Sequence, residues 1–207
     1  MFRKSKIALL FILLCSCSSN KVVKLINEGH KYYSAGQYDE ALKSFNNAAE
    51  LDSKNINALS GKVAVLVVLE HLNEAEKIAL FIVESYPKNA IAHYNLGLIE
   101  MQMGKYRSSI ERFNRSIELD PNFSDPIWNR GMAHDELAEW DKAIADYDLA
   151  LTKNPDNADA LSNRGYTKYK LQDYKGSLQD FSSALEINPK HPKALANMEM
   201  LKKRSAN

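Results

Sequence analysis

Cysteine is almost missing from this chain of 207 residues: Cys15 and Cys17 are its only two, both near the N-terminus. With no thiol after position 17, a disulfide framework, a cysteine-rich zinc site and a cysteine nucleophile are excluded from the body of the protein. A surplus of one charge is missing as well, with 27 Lys and Arg against 26 Asp and Glu. Nucleic-acid binding normally leaves a basic excess, so no nucleic-acid partner is expected. No apolar run approaches the ~20 residues that a membrane-spanning helix needs. No glycine-rich phosphate loop, nucleophile elbow or zinc-protease histidine motif occurs. The five histidines (His30, His71, His93, His134 and His191) are scattered. His134 and Asp135 are adjacent, but neighbours on a helix point about 100° apart and make no dyad. No catalytic residue, metal site or cofactor is expected, and the chain reads as a non-enzyme.

What is present begins with an address. Residues 1–16 carry Arg3, Lys4 and Lys6 and no acid, and an apolar run follows from Ile7 to Leu14. That is the charged region and short apolar region of a secretory signal. Leu14-Cys15-Ser16-Cys17 then resembles a bacterial lipobox, with Leu14 three before the acceptor, small Ser16 at the cleavage position and Cys17 as the lipidated residue. The resemblance implies a fatty-acylated (palmitate-type) Cys17, a tether over 17–21 and an exported protein anchored to a bacterial membrane. In a cell with two membranes, Ser18 points to the periplasmic side of the outer membrane. Two other readings stay open at this point: a plain signal cleaved near Ser16–Ser19, and an uncleaved membrane-anchored signal.

The body repeats. Pro87, Pro121, Pro155 and Pro189 are spaced by 34 residues, and so are Gly97, Gly131 and Gly165. Aromatic columns keep the same step: Tyr38, Tyr106, Trp140 and Tyr174, with Leu72 as the exception, and Phe45, Phe113, Tyr147 and Phe181, with Ala79 as the exception. A small column runs Ala41, Ala75, Ser109, Ala143 and Ser177. A period in this range marks a stacked array. The units are 22–55, 56–89, 90–123, 124–157 and 158–191.

Each unit reads as two helices. In the last, Leu161, Gly165 and Lys168 share one helix face, and Ser177, Phe181 and Ala184 share another. The corner lies at Leu171–Tyr174, and Asn188-Pro189 stops the second helix because proline lacks an amide proton. One hairpin cannot bury its own apolar face, whereas stacked hairpins can. Arg130 with Asp146, and Arg164 with Asp180, recur as expected bridges between the two helices of a unit. Repeat 2 departs most, with Val63 for glycine and Ala79 for the aromatic. Either its packing compensates internally or it offers a surface to a partner. Residues 192–207 begin a sixth first helix and are expected to cap the array, with Lys202, Lys203 and Arg204 at the negative end of the helix dipole.

The period and columns, with SNRGYTKYKLQDYKGSLQDFSSALEINPKHPKAL as the closest stretch, resemble the tetratricopeptide repeat. The resemblance implies an all-α fold: a right-handed superhelical solenoid of five helix hairpins plus a C-terminal capping helix. It also implies a concave face, lined by the first helices, that holds a peptide. Carried over by column, that face has asparagine at Asn27, Asn95, Asn129 and Asn163, with Gly61 as the exception. Such a ladder could read an extended backbone, or asparagine could be a tolerated polar residue on a wet face. Tyr94, Leu98, Met101, Trp128, Met132, Tyr166 and Tyr169 lie around it. Asp125, Asp135, Glu136 and Asp159 are expected to give it acidic edges. The expected role is a membrane-anchored adaptor that binds a protein or peptide partner in envelope-complex assembly. The alternative is a structural component that self-associates through repeat 2 or the cap.

Overall fold

The computed structural model describes the backbone of residues 3–205 and the side chains of 19–204. Cys15, Cys17 and the rest of the expected signal therefore lie outside the described side chains. Among the described residues every regular element is a helix: α1 (Arg3–Ser34), α2 (Tyr38–Leu51), α3 (Ile56–Val68), α4 (Leu72–Ser85), α5 (Ala90–Gln102), α6 (Tyr106–Leu119), α7 (Asp125–Glu136), α8 (Trp140–Lys153), α9 (Ala158–Lys170), α10 (Tyr174–Ile187) and α11 (Pro192–Ser205). Ser19–Lys21 belong to α1, so this part of the expected tether is helical; no proline or glycine interrupts the helix before Gly29. No described helix is long and apolar enough to cross a membrane.

The chain divides into two compact units, residues 1–87 and 88–207. In the first, α1 packs on α2, α2 on α3 and α3 on α4. In the second, α5 to α11 stack in chain order, each first helix against its own second helix and the next first helix against that.

The packing follows the sequence columns. Phe45, Phe113, Tyr147 and Phe181 are fully buried, as are Ala41, Ala75, Ser109, Ala143 and Ser177. Each such aromatic contributes roughly 1.5–3 kcal/mol by leaving water. The glycine column exists for the ring opposite. A Cβ on Gly97 would lie 2.6 Å from the Phe113 ring, one on Gly131 2.8 Å from Tyr147 and one on Gly165 2.7 Å from Phe181. Repeat 2 reverses the pattern: bulk moves from the second helix (Ala79) to the first (Val63), and both residues are buried. That burial fits internal compensation, while Phe81 and Val68 of the same repeat are 40% and 41% exposed.

Turn chemistry repeats too. Gly36, Glu70, Gly104, Ala138 and Gln172, again 34 residues apart, all have φ between 56° and 73°. The first helix of every repeat ends in this left-handed residue, glycine or not. Asn55, Asn89 and Asn157 each accept a hydrogen bond from the backbone N–H three residues on and cap the following first helix. His191 fills the same position for α11: its Nδ1 accepts from the Ala194 N–H, and its Nε2 lies 3.2 Å from the Asp159 carboxylate.

The expected bridges are present. Arg130 donates through Nε and Nη2 to both Asp146 oxygens, and Arg164 does the same to Asp180. Each guanidinium also reaches back one repeat, Arg130 to Asn114 Oδ1 and Arg164 to Asp148 Oδ1, both at 2.6 Å. Glu100 with Arg112 holds a neighbouring place with the charges exchanged between the helices, whereas Lys168 with Asp180 keeps the later order.

The first-helix face of the second unit

Helices α5, α7 and α9 bring together most of the residues that the sequence assigned to a binding face. Asn129 is buried, and its amide donates to the Asp125 carbonyl at 2.9 Å and to the Tyr94 hydroxyl at 3.3 Å. It joins two first helices and is spent inside the fold. Tyr94 packs edge-on against Phe123 at 4.9 Å and is tilted against Phe113. Burial and the nearby Asp125 carboxylate push its hydroxyl above the usual tyrosine range, partly offset by the Asn129 amide.

Trp128 is half-buried, and its Nε1–H is buried without an acceptor. The same holds for the Asn163 Nδ2 donor. Asn95, Leu98, Met101 and Met132 are also half-buried. Tyr166 is exposed and stacks on Tyr169, with centroids 6.5 Å apart and planes within 13°; Tyr169 meets Tyr174 edge-on. The Lys170 ammonium sits 5.0 Å above the Tyr166 ring. The result is a partly apolar, aromatic face with unused donors at its base.

The acidic edge is thinner than the sequence implied. Asp125, Glu136 and Asp159 are exposed, but Asp135 turns inward. It accepts hydrogen bonds from Tyr147 Oη at 2.5 Å and Thr167 Oγ1 at 2.7 Å, so it joins α7, α8 and α9. Burial holds its carboxyl above the ordinary aspartate range despite these two donors. Burial, and after it the same carboxylate, pushes the Tyr147 hydroxyl up. His134 bonds Glu139 at 2.7 Å, away from Asp135, so the two form no dyad.

In the first unit, Asn27 is exposed on α1. Gly61 lies under Phe45, leaving no room for the asparagine of its column. A separate hollow of about 330 Å³ opens there, lined by His30, Tyr33, Phe45, Asn57, Ser60, Gly61 and Ala64. Among the described residues, no group of three or more His, Cys, Asp and Glu is arranged to hold a metal ion.

Two family descriptions match. "Tetratricopeptide repeat" matches residues 90–123 and 158–191, and "TPR repeat" matches 29–62 and 136–172, together more than half the chain. The small glutamine-rich tetratricopeptide repeat-containing protein of Dictyostelium discoideum is 28% identical over 99 residues, 48% of this chain; the match spans only 30% of that relative's length. Among solved structures, the chain is similar in fold to MamA (23% identity, TM-score 0.71, 80% of this chain and 96% of that one). It is also similar to YrrB, described as a TPR protein with an unusual peptide-binding site (24%, 0.70, 91% and 97%). Pseudomonas aeruginosa pilF is a third (17%, 0.80, 91% and 86%). Repeat period, buried columns and family matches agree that the chain belongs to the tetratricopeptide repeat family.

Proposed function

We propose that the protein is a non-enzymatic adaptor that holds a segment of a partner protein on its first-helix face and is tied to a bacterial membrane through a lipidated Cys17. The observation that carries the first part is the aromatic face itself. Trp128, Tyr166 and Tyr169 offer contact area at low cost in frozen torsions. Trp128 Nε1 and Asn163 Nδ2 lack acceptors, and an extended segment would bring backbone carbonyls to meet such donors with small side-chain adjustments. A peptide-binding site in the similarly folded YrrB supports the reading. The membrane tie rests on the charged, apolar and Leu14–Cys17 pattern of the N-terminus. A partner in envelope-complex assembly follows from that address.

The test is affinity capture from detergent-solubilised membranes with the parent and with a Trp128→Ala/Tyr166→Ala variant. Asn129 is left intact because it is structural. A specific partner recovered by the parent and lost by the variant, with an unchanged melting temperature, supports the reading; equal recovery refutes it. For the tie, incorporation of a labelled fatty acid should vanish in Cys17→Ser, and persistence would contradict it.

A further inference from the structure

The hollow in the first unit opens where repeat 2 lacks the side chains that other repeats carry. It lies between α1, which supplies His30 and Tyr33, and α3, which supplies Asn57, Ser60, Gly61 and Ala64, and the buried Phe45 also lines it. At about 330 Å³ it falls at the small end of ligand pockets, which start near about 300 Å³, and suits one large side chain.

Two repeats on, the counterparts of Ser60, Gly61 and Ala64 are Trp128, Asn129 and Met132. There Asn129 is buried and the other two are half-buried. The same three columns hold Ile26, Asn27 and His30 in repeat 1, Tyr94, Asn95 and Leu98 in repeat 3, and Ser162, Asn163 and Tyr166 in repeat 5. Repeat 2 alone is small at all three. The bulk it carries at Val63 is buried and is not part of the lining, so the hollow stays open. A Cβ on Gly61 would run into the Phe45 ring, so the missing asparagine follows from packing and not from a rotamer.

The lining selects its occupant. His30 meets Phe45 edge-on at 5.2 Å, and Tyr33 adds a third ring, itself edge-on to Tyr38 at 5.6 Å. Rings packed in this way favour a further ring over an aliphatic group of equal size. No Asp, Glu, Lys or Arg lines the hollow, so a charged side chain would leave water without a counter-ion. The imidazole, phenol, amide and hydroxyl of His30, Tyr33, Asn57 and Ser60 can meet the polar edge of an aromatic guest. In the second unit an indole, that of Trp128, stands in the column of Ser60.

We propose that this hollow is an anchor site for an aromatic side chain, tryptophan above all, projecting from a segment of a partner protein. It lies wholly within the first unit and stands whether or not the face of α5, α7 and α9 binds.

The probes are blocked pentapeptides, acetyl-Gly-Gly-Xaa-Gly-Gly-amide, with Trp, Leu, Lys or Glu at the centre. They are titrated against the isotope-labelled full chain in a lipid nanodisc and followed by backbone amide NMR shifts. The Trp peptide should shift the His30, Gly61 and Ala64 amides saturably. The Leu peptide should bind about threefold more weakly or worse, and the Lys and Glu peptides at least about tenfold more weakly. Ser60→Trp/Ala64→Met, which fills the hollow with the side chains of repeat 4, should remove the shifts; Ala64→Met alone serves if the pair lowers the melting temperature. Trp128→Ala should leave them unchanged. No shift, equal binding of the Trp peptide and the Leu or Lys peptide, shifts that survive the filling, or shifts that Trp128→Ala removes would each overturn the proposal. Free indole binding as tightly as the Trp peptide would also overturn it, giving the hollow to a small aromatic molecule.

Discussion

At the scale of single residues, contacts across a repeat are paired volumes and paired charges. Gly165→Ala places a Cβ 2.7 Å from the Phe181 ring and should cost about 1–3 kcal/mol in denaturant unfolding. In repeat 2 the same logic predicts coupling. Ala79→Phe alone should destabilise, and Val63→Gly/Ala79→Phe should recover much of the loss. Equal losses in the single and double variants would contradict the compensation. Asp135 makes a different prediction. Its folded carboxyl titrates above its unfolded value because burial disfavours the charge. The folded state therefore holds the proton more readily than the unfolded one. The associated stability is fully present below the ordinary value of 3.8 and is lost as pH rises through the raised folded value. Asp135→Asn, which removes the titration, should stand best against the parent at neutral pH and lose ground on acidification through that window. Asp135→Ala, which leaves the Tyr147 and Thr167 hydroxyls unmet, should cost about 1–3 kcal/mol.

At the scale of elements, turns and inter-helix ties decide stability. Glu70, Ala138 and Gln172 occupy a left-handed position that Gly36 and Gly104 fill without strain. Each changed to glycine should raise stability by about 0.5–1 kcal/mol once the looser unfolded chain is counted, and Gly104→Ala should lower it by about 1 kcal/mol. Thermal melts of the four single variants check the sign at each position. Arg130→Ala leaves the buried Asp146 carboxylate without its bidentate partner and should cost about 3 kcal/mol, more than loss of the exposed Arg115–Glu118 pair. Helix boundaries, the glycine and aromatic columns and both arginine bridges were legible in the sequence because each rests on a residue type that keeps its 34-residue step. The left-handed turn was not, because Gly36, Glu70, Gly104, Ala138 and Gln172 share a backbone conformation and no side-chain chemistry. The inward turns of Asn129 and Asp135 were hidden for a related reason. A column gives a place along the helix, and the neighbouring Tyr94, Tyr147 and Thr167 that claim these side chains stand in other columns.

At the scale of the whole molecule, the described residues form near-neighbour contacts within two compact units. Residues 88–207 contain their own buried columns, so that fragment should be helical and unfold cooperatively by circular dichroism; a fragment without helical signal would contradict the division. The face of α5, α7 and α9 was legible in outline, since Trp128, Met132, Tyr166 and Tyr169 lie where the repeat columns put them. Its sparse acidity emerged only once burial was known residue by residue. The most direct test of the adaptor reading is photocrosslinking in cells, with benzoylphenylalanine placed singly at Met132, Tyr166 or Tyr169 on first helices and at Lys77, Arg115 or Leu149 on second helices. The account predicts a discrete adduct from the first-helix positions and none from the others; adducts from the second-helix positions alone, or equally from both sets, would contradict it.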